Sequence, residues 1–167
     1  SLSQYLEEKI WSRIGMESDA WWLLDEAGME WAFGGLNVSL RDYGRFGLLF
    51  LREGDWQGES IVPADWVRSS VRPAAAAASE SPLGYGYQWW VPEDADGEFL
   101  AIGVYGQYIY VYPRRQIVIV KTAADPHFQD GDYEGDHESI AAFRAIARHL
   151  SPDPTGAASP EMAHLPP

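Results

Sequence analysis

Residues 85–124 confine the chain more than any other stretch. Four segments rich in aromatic and β-branched residues follow one another there: "YGYQWWV", "EFLAIGV", "GQYIYVYP" and "QIVIVKTA". Such runs, parted by short turn sequences, read as strands. The acidic "PEDADGE" joins the first two as a turn, and Pro113-Arg114-Arg115 makes a hairpin connection between the last two. The pattern predicts a three-stranded antiparallel meander. "QIVIVK" is apolar at nearly every position, so it is expected to be buried on both faces and to need neighbouring strands. "HESIAAFRAIARHL" (137–150) then sets Ile140, Phe143, Ile146, Ala147 and Leu150 along one side of a helix. Strands packed on a terminal helix, with helices before them, give an α+β fold class.

The first half, residues 1–80, reads as mainly helical. Tyr5, Leu6, Ile10, Trp11 and Ile14 follow helical spacing over residues 3–14, and Gly15 is a suitable stop. "ESDAWWLLDEAG" reads as an extended segment ending in a turn at Gly28, and Gly34-Gly35 as a flexible approach to the next helix. Ser39 with Asp42 resembles a capping box in which Asp stands for the usual Glu. Leu40, Tyr43, Phe46 and Phe50 continue as an apolar stripe, and Gly54 closes the helix. Gly44 and Gly47 lie on a second face, where small residues permit close packing against another element. Pro63 opens a further helix at a first-turn position. "AAAAASESPLG" is expected to be a surface loop and residues 151–167 a disordered tail, leaving residues 1–150 as one unit.

Composition excludes several function classes. A net charge of −13 disfavours nonspecific attraction to nucleic acid or anionic lipid. With no cysteine there are no disulfides, zinc-thiolate sites or thiol nucleophiles, and the redox compartment stays open. No apolar run approaches the roughly 18 residues needed to span a bilayer. The chain starts within a helical pattern, without the basic start and apolar stretch of a signal peptide, which suggests the tail of a longer protein. The compartment, cytoplasmic or periplasmic, is left open. The eight Trp and nine Tyr suit a thick core or an aromatic-lined cleft.

The usual catalytic motifs are absent from these residues. No Ser is followed by Lys three positions later, and there is no Gly-x-Ser-x-Gly elbow, Tyr-x-Asn, His-Glu-x-x-His or Walker loop. His127 and His137 share "DPHFQDGDYEGDHE" with several acids, but the spacing fits no EF-hand, so a solvated acidic loop is expected and no metal or cofactor is implied. His149 near a helix C-terminus is a favourable end charge. "VKTAA" at 120–124 is read as the end of a strand, because Ala123 stands where a Lys-Thr-Gly box needs glycine. Gly103 and Gly106 are the more telling pair. They weaken a stretch of high β preference, which fits either close approach of a ligand or a plain β-bulge.

In order and spacing, "AFGGLNVSLRDYGRFGLLFLREG", "IVPADWV", "YGYQWW" and "IGVYGQYIYVYPRRQIVIV" resemble the C-terminal half of the serine β-lactamase and penicillin-binding protein superfamily. Within it they are most similar to the 6-aminohexanoate-dimer hydrolases and carboxylesterase-like relatives, over about residues 1–150. The resemblance implies part of a β-lactamase/transpeptidase-like fold. In that fold a five-stranded antiparallel sheet is flanked by helices and joined to a helical domain. It also implies that the nucleophile of Ser-x-x-Lys, the Tyr of a second motif and the first strands of the sheet lie upstream of residue 1. The fragment alone is then expected to be inactive and to require that N-terminal half.

What these residues would supply is one wall of the cleft. The resemblance aligns Ala101-Ile102-Gly103 with the family's Lys-Thr-Gly position. Gly103 would let substrate lie against the strand, and the backbone N–H of Val104 would be the second donor of the oxyanion hole. Tyr105 and Gln107 would border the pocket, Gly106 would let the chain bend, and Ile102, Gly34, Trp89 and Trp90 would lie at its edges. Trp89 and Trp90 alternate across a strand, so one is expected to face the core and the other the opposite surface. Phe33 matches a cleft-side position held by Asn in some nylon-oligomer hydrolases and points to a less polar substrate. Loss of Lys and Thr at 101–102 argues against recognition of a β-lactam carboxylate. The implied activity is hydrolysis of a small ester or amide through an acyl-enzyme. The competing readings are a non-catalytic binding protein on the same fold, and an aromatic-rich carbohydrate-binding module with an exposed Trp platform.

Overall fold

The computed structural model describes residues 1–73, 83–128 and 134–150. The alanine-rich loop and the tail expected at 151–167 lie outside the described residues, as does part of the acidic stretch after His127.

The elements follow in chain order. Helix α1 (Leu2–Leu6) runs into a π-helical turn (Glu7–Trp11), and β1 (Trp21–Trp22) pairs with β2 (Leu36–Asn37). Helix α2 (Leu40–Leu51) is followed by the hairpin β3 (Asp55–Trp56) and β4 (Glu59–Ser60), then helix α3 (Ala64–Ser70). The strands β5 (Leu83–Tyr85), β6 (Trp90–Pro92), β7 (Phe99–Gly103), β8 (Gln107–Tyr112) and β9 (Ile117–Lys121) form one antiparallel sheet in sequence order. Helix α4 (Glu134–Leu150) ends the described chain, with Arg148 and His149 in its last turn.

The meander therefore has five strands rather than three. "YGYQWWV" is a hairpin and not a strand. Gly86 N–H donates to the Trp89 carbonyl at 2.8 Å, Gln88 adopts φ +64°, and Tyr85 pairs with Trp90. Gly86 is required there, since a Cβ would stand 2.1 Å from the Ser70 carbonyl oxygen.

Each face of the sheet carries a core. Phe99, Ile109, Val111 and Trp89 pack with Phe50, Leu51 and Val67 on the α2/α3 side. Leu83, Leu100, Tyr108, Tyr110 and Tyr112 pack with Ile140, Phe143 and Ala147 of α4 on the other. Helices on both faces explain why Tyr108–Tyr112 is buried at every position. β9 departs from the sequence expectation. It pairs only with β8 among the described strands, and as the last strand of the five its Ile117–Val120 are half-buried rather than buried, although α2 packs directly on it. Gly47 provides the close approach that its size suggested: a Cβ there would lie 2.6 Å from Val118 Cγ1. Gly44 has nothing within 4 Å, so the close contact on α2 is carried by one glycine of the two.

Two local expectations also change. The helix over 3–14 is a short α-helix and a π-turn, and only Ile14 of its apolar positions is fully buried. At Ser39 the N-cap is present, with Asp42 N–H donating to Ser39 Oγ at 3.2 Å. The Asp42 carboxylate does not bond the backbone N–H of Ser39, as the second half of a capping box would. It is fully buried and accepts from Glu17 N–H (2.8 Å), Ser18 N–H (3.1 Å), Ser39 Oγ (2.8 Å) and Arg45 Nη1 (3.2 Å). It thereby ties the 15–18 loop to the start of α2.

Burial opposes ionisation of Asp42, yet the donors of Glu17, Ser39 and Ser18 together with Arg45 outweigh it and hold the carboxyl below its ordinary value. A depressed folded-state pKa contributes stability above the unfolded value of about 3.9, and that contribution is lost as pH falls through the folded value. Asp42→Ala in the full-length protein is therefore expected to cost about 3 kcal/mol at neutral pH. The gap from wild type should narrow in acid, as read by urea unfolding from pH 7 to pH 3.

Candidate functional site

β7 and β8 pair from Phe99↔Val111 to Gly103↔Gln107, so Val104, Tyr105 and Gly106 form the connection at the end of the sheet. The two glycines thus belong to a hairpin, Gly103 at the last residue of β7 and Gly106 within the turn, instead of interrupting one strand. Tyr105 (φ +63°) and Gly106 (φ +82°) are both left-handed. For Tyr105 that conformation costs about 1–2 kcal/mol, whereas Gly106 adopts it freely. Contacts from outside the turn hold it. Asp125 N–H donates to the Tyr105 carbonyl at 3.2 Å, and the Gln107 carboxamide bonds both backbone groups of Ala123.

Val104 and Tyr105 are 56% and 57% exposed, so this end of the sheet is open. Among the described residues no acceptor meets the Val104 N–H. The site thus presents a backbone donor without an acceptor on an exposed turn whose Tyr105 carbonyl is held by Asp125 N–H. Such a donor suits a developing oxyanion, because its orientation is set before the charge appears.

The residues behind the turn are engaged in structure. Lys121 of "VKTAA" lies 5.0 Å from the Tyr108 ring centroid and donates to Ser139 Oγ of α4 at 3.0 Å. Desolvation, followed by its hydrogen bond to Asp136, pushes the Tyr108 hydroxyl up to about 12, so it stays protonated at neutral pH. Among the described residues no group of three or more His, Asp or Glu converges as a metal site.

Gly103, Val104, Tyr105, Gly106 and Gln107 lie together in the β7–β8 turn and its last pair, and the contacts of the other sequence-predicted site residues are made elsewhere. Ile102 stands opposite Tyr108 and packs on the α4-side core. Trp89 requires correction: it is 3% exposed, with ring centroids 4.5 Å from Phe50 and 4.9 Å from Phe99, so its side chain is core. Trp90 points to the other face and packs on Tyr85 at 4.5 Å. Phe33 is 77% exposed and stacks on Trp31 at 5.3 Å, within the loop joining β1 to β2. Gly34 in that loop gives its carbonyl to Trp22 Nε1 at 3.0 Å. No hydrogen bond or ring contact among the described residues links Phe33 or Gly34 to the 103–107 turn.

Two open clefts lie elsewhere. One of about 350 Å³ runs between α1 and the β1–β2 hairpin past Trp11, Trp21 and Leu36, and one of about 460 Å³ lies between α2 and β9. Ala123 and Asp125 are the residues that sequence reasoning missed. Their part is played by backbone groups, for which the side-chain pattern carries no signal.

Residues 1–143 match the Beta-lactamase family, and the chain belongs to it. A 6-aminohexanoate-dimer hydrolase of Paenarthrobacter ureafaciens is 32% identical over 134 residues, which cover 75% of this chain and 33% of that protein. A Bacillus anthracis structure provisionally described as a 6-aminohexanoate-dimer hydrolase superposes with a TM-score of 0.78 at 34% identity, over 92% of this chain and 40% of that one. A Bacteroides dorei structure provisionally described as a beta-lactamase has a TM-score of 0.59 at 23% identity, covering 84% and 50%, and speaks to the fold alone. The chain spans about a third of the length of the curated relative it matches.

Proposed function

We propose that the full-length protein is a serine hydrolase of small esters or amides, and that these residues supply one wall of its cleft. The observation that carries the reading is the unpartnered Val104 N–H on an exposed turn. In this role it donates to the oxyanion formed when a serine attacks the substrate carbonyl, alongside the serine's own N–H. An acyl-enzyme forms with loss of the alcohol or amine, and water releases the acid. No Ser-x-x-Lys occurs in these residues, so the nucleophile comes from the rest of the protein. The exposed, apolar Phe33, which the resemblance sets at a cleft-side position, favours an uncharged substrate over the 6-aminohexanoate dimer named for the relatives. Burial of Trp89 removes it as a sugar platform, which weighs against the carbohydrate-binding alternative.

The test is turnover of p-nitrophenyl butyrate by the full-length protein, with a fluorophosphonate probe and peptide mapping of the adduct. Turnover with label on a serine outside these 167 residues is the expected result. An inert protein that takes no label overturns the reading and leaves a binding protein on this fold.

A further inference from the structure

Gln107 has a side-chain arrangement that the strand ladder does not require. It stands opposite Gly103 in the last β7–β8 pair, where a strand residue needs only its backbone. Its carboxamide turns onto Ala123, two residues past the end of β9. Nε2 donates to the Ala123 carbonyl, and Oε1 accepts from Ala123 N–H at 3.3 Å. A neighbouring peptide group would offer the same two-point pattern, so the side chain extends the β8–β9 ladder beyond its last backbone pair, Tyr108↔Lys121. Nε2 also reaches the Tyr105 carbonyl at 3.4 Å, the oxygen that accepts from Asp125 N–H. Gly103 leaves the space for this: a Cβ there would stand 3.1 Å from Gln107 Cβ and 3.4 Å from Cγ.

We propose that Gln107 is a positioning residue for the Val104 N–H, its carboxamide clamping the 104–106 turn to the 123–125 segment so that the donor keeps one direction. The proposal rests on the reading of Val104 as an oxyanion donor. It replaces the expectation that Gln107 contacts substrate, because both polar atoms of its amide are spent on the protein. The turn needs such a clamp. Val104 and Tyr105 are more than half exposed and Tyr105 is left-handed, so little packing resists relaxation. A donor that relaxes by an ångström or so forfeits much of its effect on the transition state.

The test uses the full-length protein, with kcat expressed per phosphonate-titrated serine so that loss of folded enzyme does not enter. Gln107→Met removes both contacts and is expected to lower kcat about 10–100-fold with KM little changed. Gln107→Glu adds a pH readout. Ionised, the carboxylate faces the Ala123 and Tyr105 carbonyls and repels them. Protonated, it accepts from Ala123 N–H and donates to the Ala123 carbonyl as the amide does. The ratio of its kcat to wild type should rise as pH falls through the carboxyl titration, while the ratio for Gln107→Met stays flat. Wild-type kcat in Gln107→Met, a loss confined to KM, or a pH-flat ratio for Gln107→Glu overturns the proposal. If Gln107→Met does not fold, the Gln107→Glu ratio decides. Replacing the Val104 amide by an ester separates the two ideas. A slowed ester variant beside an unaffected Gln107→Met sinks the clamp alone, and an unaffected ester variant sinks the Val104 reading.

Discussion

Exchanging the Val104 peptide group for an ester in the full-length protein, by incorporating the α-hydroxy acid analogue of valine, should lower kcat for p-nitrophenyl butyrate about 10²–10³-fold, the usual worth of one oxyanion-hole donor. KM should barely move, since the ground-state carbonyl carries little of the charge the donor is aimed at. The exchange keeps the isopropyl group and puts an ester oxygen in place of the N–H. No acceptor within the described residues loses a bond, and the weaker Gly103 carbonyl acceptor should cost about 1 kcal/mol of stability at most. Val104→Ala is the complementary variant. It keeps the N–H and trims a side chain that is 56% exposed, so its kcat should stay near wild type. An ester variant with wild-type kcat, or an alanine variant as slow as the ester, would show that the side chain or another group carries the effect.

Side-chain pattern disclosed the strands and helices but not their number or connections. "QYIYVY" and "QIVIVK" declare themselves because every position is apolar or aromatic. β5 and β6 are three residues each, and the turn between them is written in aromatic residues, so "YGYQWWV" reads as one strand. The turn at Gly86-Tyr87-Gln88 is imposed by tertiary contact, with Tyr87 N–H donating to the Ser70 carbonyl at 2.8 Å. Asp42 is a similar case. The Ser-x-x-Asp pattern marks the helix start correctly, but two of the carboxylate's four partners, the N–H groups of Glu17 and Ser18, lie 25 and 24 residues away and leave no trace in local spacing. At the site, the pair Gly103 and Gly106 stands out in the sequence as a break in a strand-forming stretch, open to ligand approach or a β-bulge. Its division of labour does not: Gly103 clears the Gln107 side chain and Gly106 turns the chain, and both facts depend on the fold closing the hairpin against residues 123–125.

The fastening of α4 to the sheet leads to the largest expected effect on stability. Glu98 is 2% exposed and lies just before β7; it accepts from Arg144 Nε at 2.8 Å and from Asp96 N–H at 2.6 Å. Arg144 Nη2 is shared between Glu98 at 2.6 Å and Asp94 at 2.8 Å, and Nη1 donates to Asp94 at 3.0 Å. The two carboxylates differ sharply in setting, because Asp94 is 76% exposed and Glu98 is not. Arg144→Met leaves the Glu98 charge buried without its guanidinium, which should cost about 3–5 kcal/mol in urea unfolding of the full-length protein. Asp94→Asn removes only a screened surface partner and should cost under about 1 kcal/mol. Glu98→Leu combined with Arg144→Met removes both charges and should recover much of the loss, since the penalty of the single variant is desolvation of an orphaned carboxylate. Equal losses from Arg144→Met and Asp94→Asn would place the anchoring in the exposed pair instead. The consequence reaches the candidate site through α4, which contributes Ser139 to Lys121 and Asp136 to Tyr108 directly behind the 104–106 turn. A helix loosened at Arg144 should therefore slow kcat through the turn before it abolishes folding, an order that activity and unfolding measured along the same urea series would reveal.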